Sequence, residues 1–241
     1  MKELLTIMPA FVAFISCIVT LYTQNKISIK NREYEEKRLN QQNSLQKEAN
    51  TKVYKEPFIN AAIDLQSRIF NILKLGFFQT YYISGTERQK NYAVNNTVYL
   101  LAQLFAWVEA VRCELQFIDL DDDHKTRLLS ELQHNIYSTM QSDRFEPALM
   151  VFAGEQRALG ERMLKTSEKG VRCIGYGEFL SNDLLIKDPF IQILVEDITK
   201  LAEGSQKADM RLASLHHALI DVLVFLDPDY IRFPKDKRQK I

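Results

Sequence analysis

The chain has 241 residues, 46% of them apolar and 26% charged, and its 31 basic residues balance 31 acidic ones. That balance excludes the global basic field that gathers nucleic acid, and no local run of interleaved aromatic and basic residues replaces it, so no nucleic-acid partner is expected. The apolar content excludes a disordered chain, and the scarcity of Gly and Pro together with mostly helical apolar spacing makes the expected class all-α.

The first predicted element is residues 4–22, LLTIMPAFVAFISCIVTLY, nineteen residues without a charge. About 20 helical residues cross a bilayer core, so the length suits a transmembrane anchor. A cleaved signal would want a basic start and small residues before the cut. Here Lys2 is offset by Glu3, and the exit at 20–24 has no A-x-A pattern. Pro9 falls in the first turns, where few backbone bonds are lost. Lys26, Lys30, Arg32, Lys37 and Arg38 follow the span, which by the positive-inside rule predicts an outer N-terminus and a cytoplasmic body. The cysteines agree: Cys17, Cys113 and Cys173 form no disulfide framework and suit a reducing compartment. Within the span, Ala10, Ala13, Cys17 and Thr20 share one helix face on which a second helix could pack closely, although small residues are common in spans.

Residues 23–56 are polar and read as a stalk, helical or flexible, with no clean heptad. The body is expected over 57–241 as one multi-helix bundle. Glu56-Pro57 suits a first helical turn, followed by a stripe of Phe58, Ala62, Leu65, Ile69, Ile72 and Leu73 opposite Asn60, Asp64, Ser67, Asn71 and Lys74. After Gly85, Thr86 and Gln89 fit a capping box for a long helix over 87–120. Asp121, Asp122 and Asp123 offer an N-cap to a third helix with the stripe Leu129, Leu132, Ile136 and Met140. Residues 145–152 read as extended or loop and 155–164 as a short helix, and Gly170, Gly175 and Gly177 mark a loop. Asp188-Pro189 opens a helix ending near Gly204. Ser205 is expected to cap the last helix, whose stripe of Leu212, Leu215, Leu219, Val222 and Leu226 stops at Asp227-Pro228.

Few residues suggest chemistry. On the long helix Arg112 falls within the stripe of Val94, Val98, Leu101, Phe105 and Val108, with Glu109 and Gln116 beside it. This polar cluster is either an internal ion pair or a pocket. Glu155, Arg157 and Glu161, with Tyr176, are the candidate rim of any pocket. Glu131 and His134 have the Glu-x-x-His spacing of di-iron bundles but lie opposite their helix's apolar stripe, and the motif is needed twice. His216 sits at the edge of a leucine stripe and suits the rim of the core, and His217 has no acidic residue three positions before it. Gly175-Tyr176-Gly177 lacks the preceding strand and the lysine of a phosphate loop. Cys173 has the chemistry of a nucleophile, but it and Cys113 equally suit small buried side chains. No catalytic residue, cofactor or metal site is expected.

The segments VYLLAQLFAWVEAVRCELQFIDL (98–120) and FAGEQRALGE (152–161) resemble a family of bacterial proteins with a short N-terminal span, a helical body and no established activity. The resemblance covers about 57–201 and implies an inner-membrane setting. Together these readings predict a membrane-tethered helical interaction module, a scaffold, adaptor or signalling component that holds a protein partner or a second copy at the lipid bilayer. The alternative is a small-ligand sensor or an enzyme with a site near Arg157 and Tyr176.

Overall fold

A computed structural model describes residues 2–114, 123–167, 170–181 and 184–241. The protein is mostly helical, 79% helix and 3% strand, with ten helices among the described residues. It divides into two compact units, Met1–Ala49 and Asn50–Ile241.

In the first unit the chain is helical throughout its described residues, as the N-terminal part of α1 (Lys2–Leu75). Val12–Gln42 is, among the described residues, the one stretch long and apolar enough to cross a membrane by length and composition. Val12, Phe14, Ile15, Ile18, Val19, Leu21 and Tyr22 are all exposed along it. Of the four small residues, Ala13, Cys17 and Thr20 are exposed, and the Ala10 side chain lies outside the described residues. The Thr20 hydroxyl donates back to the Ser16 carbonyl at 2.7 Å, which satisfies it within its own helix.

The second unit begins before the expected start of the body. Pro57 lies inside α1 rather than at a helix start, so its missing N–H costs one backbone bond within the helix instead of none. Beyond it, Phe58, Ala62, Leu65 and Ile69 are buried while Asn60 and Asp64 are exposed, as the stripe predicts. The helix ends at Gly76, whose φ of +63° is the left-handed conformation of a C-terminal cap. A π turn, Gln79–Ile83, then leads into α2 (Glu87–Glu114). At its start the Gln89 side chain accepts from the Thr86 backbone N–H at 2.8 Å and from the Thr86 hydroxyl at 3.0 Å.

Every residue of α2 from Thr97 to Val111 is buried except Gln103, which is half-buried. It packs against α4 (Ala153–Met163), α7 (Pro189–Ala202), the π turn and a two-stranded hairpin. A helix apolar on all sides is a core helix, and the other elements are arranged around it. The expected continuation over 115–122, with Gln116, Asp121 and Asp122, lies outside the described residues.

Around α2, α3 (Asp123–Gln141) buries Leu129, Leu132, Ile136 and Met140 and packs on α8 (Asp209–Leu226). Glu155 starts α4 by accepting from the Phe152 backbone N–H at 2.8 Å. The glycine loop expected over 170–177 is instead largely regular. Leu164–Ser167 and Gly170–Cys173 form an antiparallel hairpin, β1 and β2, with Leu164 opposite Cys173, and Gly177 belongs to the short helix α5 (Tyr176–Ser181). Strands of four residues are too short to show a period, so their register comes from what they pack on. Tyr99 of α2 donates to the Ile174 carbonyl at 3.1 Å, and Glu178 of α5 pairs with both Lys165 and Arg172 across the hairpin.

After α6 (Leu184–Lys187), Asp188 caps α7 as expected, accepting from the Phe190 and Ile191 N–H groups at 3.0 and 3.2 Å. Ser205 does not cap the last helix. Ala208 holds that position, and the Ser205 hydroxyl donates to the Lys200 carbonyl at 3.0 Å, serving the end of the preceding helix. Past Asp227 the chain turns back and ends in a short 3₁₀ turn, Lys235–Lys237. The buried Arg238 ties this tail down, donating to the Leu223, Asp227 and Phe233 carbonyls and pairing with the Asp227 carboxylate.

Candidate functional site

The site builds outward from Arg68. On α1, Ala61, Leu65, Arg68 and Ile72 are spaced by 4, 3 and 4 residues, so the arginine is placed on the face that enters the core. Only 7% of its surface is exposed. Its guanidinium donates to the Thr97 hydroxyl at 3.0 Å and to the Asn96 side-chain oxygen at 2.7 Å. It also lies 4.0 Å from the centre of the Phe77 ring and 5.5 Å from that of Tyr92. These partners are all neutral: among the described residues no carboxylate pairs with Arg68. Burial pulls its pKa down from the ordinary arginine value, and Tyr92 and Tyr176 oppose that shift.

The chain reversal at Gly76 gives this arginine a cleft. It brings Phe77 and Tyr81 from the turn, and Arg88, Gln89 and Tyr92 from the first turns of α2, against Arg68 and Asn71. The cleft has a volume of about 630 Å³, within the range of small-molecule sites. Tyr81 and Tyr92 keep 42% and 47% of their surface exposed, so their rings are available along its walls. Among the described residues, no acidic residue lines it.

The residues singled out in the sequence fall elsewhere. Glu109 is buried and accepts from the Arg112 guanidinium at 2.5 and 2.7 Å, from the Tyr137 hydroxyl at 3.2 Å and from the Cys113 thiol at 3.5 Å. Arg112 itself is not buried: its side chain is 42% exposed against 3% for Glu109, because α2 emerges from the core at this turn. Burial opposes ionisation of Glu109, but Arg112, Cys113 and Tyr137 together hold its carboxyl below the ordinary carboxylate range. Gln116 lies outside the described residues, and Cys113 is exposed rather than buried.

The proposed pocket rim does not gather as one group. Glu155 is spent on capping α4, Arg157 and Glu161 are exposed, and Arg157 lies in the field of Tyr137. Tyr176 belongs to an aromatic cluster, 5.3 Å from the Tyr99 ring and 6.3 Å from Tyr92. It therefore stands behind the Arg68 cleft. Glu131 and His134 are exposed, as their helical positions predict. Among the described residues no three His, Cys, Asp or Glu side chains could hold a metal ion together. Burial pushes the Cys173 thiol up to about 12, which keeps it protonated at neutral pH and unlike a nucleophile. His216 is in the core rather than at its rim, fully buried, with neither ring nitrogen hydrogen-bonded.

Three buried arginines were missed, of which two lie on helices: Arg68 and Arg211. Arg211 is fully buried and donates to the carbonyls of Thr139, Met140, Ser142, Glu146 and Ala148, tying the end of α3 to the chain that follows. Both were detectable by the wheel reasoning applied to Arg112. Arg211 shares a face with Leu215, Ala218 and Val222, as Arg68 does with Leu65 and Ile72. Neither a family model, nor a curated protein, nor a solved structure matches this chain, so its function has to be argued from its own residues.

Proposed function

We propose that the protein is a membrane-tethered helical interaction module. In this reading the apolar part of α1 sits in the bilayer of a cell inner membrane with its N-terminus outside. The helical unit then stands on the cytoplasmic side, where it holds a protein partner or a second copy of the chain as a scaffold, adaptor or signalling component. The observation that carries it is the run of exposed Val, Phe, Ile and Leu side chains between Val12 and Tyr22, surface that water disfavours and hydrocarbon does not. The basic residues from Lys26 to Arg38 support the direction.

Two measurements test it. A reporter active only in the periplasm should be silent when fused after Ile241, and one active only in the cytoplasm should work there. The full chain should stay in the membrane pellet after a carbonate wash, whereas a chain lacking residues 1–22 should be released. Periplasmic reporter activity would overturn the orientation, and release of the full chain would overturn the tether.

A further inference from the structure

We infer that the cleft between the end of α1 and the start of α2 binds a small organic anion that carries a flat ring, with its oxyanion on Arg68 and Arg88 and its ring against Tyr81 and Tyr92. This goes beyond the tethering role and does not depend on it. The first ground is the charge of Arg68. A buried cation is costly unless an anion accompanies it, and Asn96, Thr97 and the two aromatic rings supply hydrogen bonds and quadrupole attraction but no negative charge. A ligand oxyanion would complete this arrangement. Thr97, Asn96 and Tyr92 engage three of the five guanidinium N–H donors, so others remain to meet it.

The second ground is what surrounds that arginine. Arg88 adds an exposed cation to the same cleft, and with no acidic residue among the described lining the local charge is positive while the whole chain is neutral. Gln89 spends its side-chain oxygen on Thr86, which leaves its amide nitrogen as a donor to the cleft, and Asn71 offers another. The third ground is size. An inorganic anion would leave most of about 630 Å³ filled by water, whereas a ring-bearing ligand fills it and covers the two half-exposed tyrosines. A phosphate and a carboxylate share the chemistry that Arg68 and Arg88 recognise, and the probes below distinguish them.

Isothermal titration calorimetry of the full chain in phosphatidylcholine nanodiscs provides the test, with phenyl phosphate, benzoate, inorganic phosphate and the neutral phenyl glucoside as probes. Phenyl phosphate, benzoate or both should bind one per chain, and their ratio identifies the preferred oxyanion. Inorganic phosphate should bind at least about tenfold more weakly than the better of them, and phenyl glucoside should not saturate. Arg88→Gln should weaken binding about tenfold with an unchanged melting temperature, because Arg88 is exposed. Failure of both ring-bearing anions, equal affinity for phenyl glucoside or for inorganic phosphate, or an Arg88→Gln variant that titrates like the wild type would each overturn the inference.

Discussion

His216 and Glu109 make folding depend on pH in two different windows. Burial, with a smaller contribution from His217, pushes the His216 pKa down from 6.5 to about 4. The unfolded chain then takes up a proton near pH 6.5 that the folded chain refuses until near pH 4, so stability falls as pH falls through this interval. The loss between pH 7.5 and pH 5 is about 2 kcal/mol. His216→Leu removes the two unpaired ring nitrogens along with this titration. Thermal melts should therefore show a gain in melting temperature that is larger at pH 5 than at pH 7.5. An equal gain at both would mean that the imidazole is not refusing its proton. Glu109 acts at lower pH. Its folded pKa is depressed, so its contribution is complete above the ordinary carboxylate range and is lost only in stronger acid. Arg112→Met leaves a buried carboxylate held by Tyr137 and Cys113 alone. It should cost about 1–3 kcal/mol in denaturant melts at neutral pH and shrink the loss in acid, because burial then raises the Glu109 carboxyl with no cation to hold it down. Replacing Glu109 and Arg112 together with Met should be less destabilising than Arg112→Met alone, since the buried carboxylate is then removed along with its partner. Unchanged stability of Arg112→Met would show that the arginine serves something outside the fold.

At the scale of elements, α2 and α4 approach each other closely. A Cβ on Gly160 would lie 2.7 Å from the Phe105 carbonyl oxygen and 2.9 Å from the Glu109 Cβ, both parts of a helix that cannot yield locally. Gly154, in the first turn of the same helix, has nothing within 4 Å of such an atom. Gly160→Ala should therefore cost about 1–3 kcal/mol in spite of alanine's better helix propensity, while Gly154→Ala should be neutral or stabilise by up to about 1 kcal/mol. Chemical denaturation of the two variants side by side separates packing from propensity, and a neutral Gly160→Ala would mean that α2 and α4 do not pack this closely. The central position of α2 also explains why a wheel drawn on it misleads. A helix surrounded on every side has no apolar stripe with an edge, so the position of Arg112 on the wheel says less about its burial than the point at which the helix leaves the core.

For the whole molecule, the buried side chains among the described residues begin at Phe58 and continue to Arg238, all within Asn50–Ile241. The fragment 50–241 should accordingly be soluble, mainly helical by circular dichroism and cooperative on heating. Little helix, or a broad transition without a baseline, would mean that the first unit or a partner is needed to complete the fold. Among the described residues the N-terminal unit has no buried side chain, so by itself it should be helical only where a bilayer or a second helix takes up its apolar surface.

Periodicity within single segments made the helical class legible, because an amphipathic helix carries its buried face in its own residues. The stripes through Phe58, Leu129 and Leu212, the Asp188-Pro189 cap and the stop at Asp227-Pro228 could all be read before any contact was known. The uncharged segment over 4–22 was equally plain, since its length and lack of charge are local properties. What tertiary structure decided depends on segments far apart in the chain. Pro57 lies inside a helix because the residues around it extend one that is already formed. The hairpin over 164–173 is set by Tyr99 and Glu178 rather than by a repeat within its short strands. Arg68 acquires its cleft only because the turn at Gly76 folds Arg88, Tyr81 and Tyr92 against it. A cleft is a relation between elements, and no single element carries its pattern.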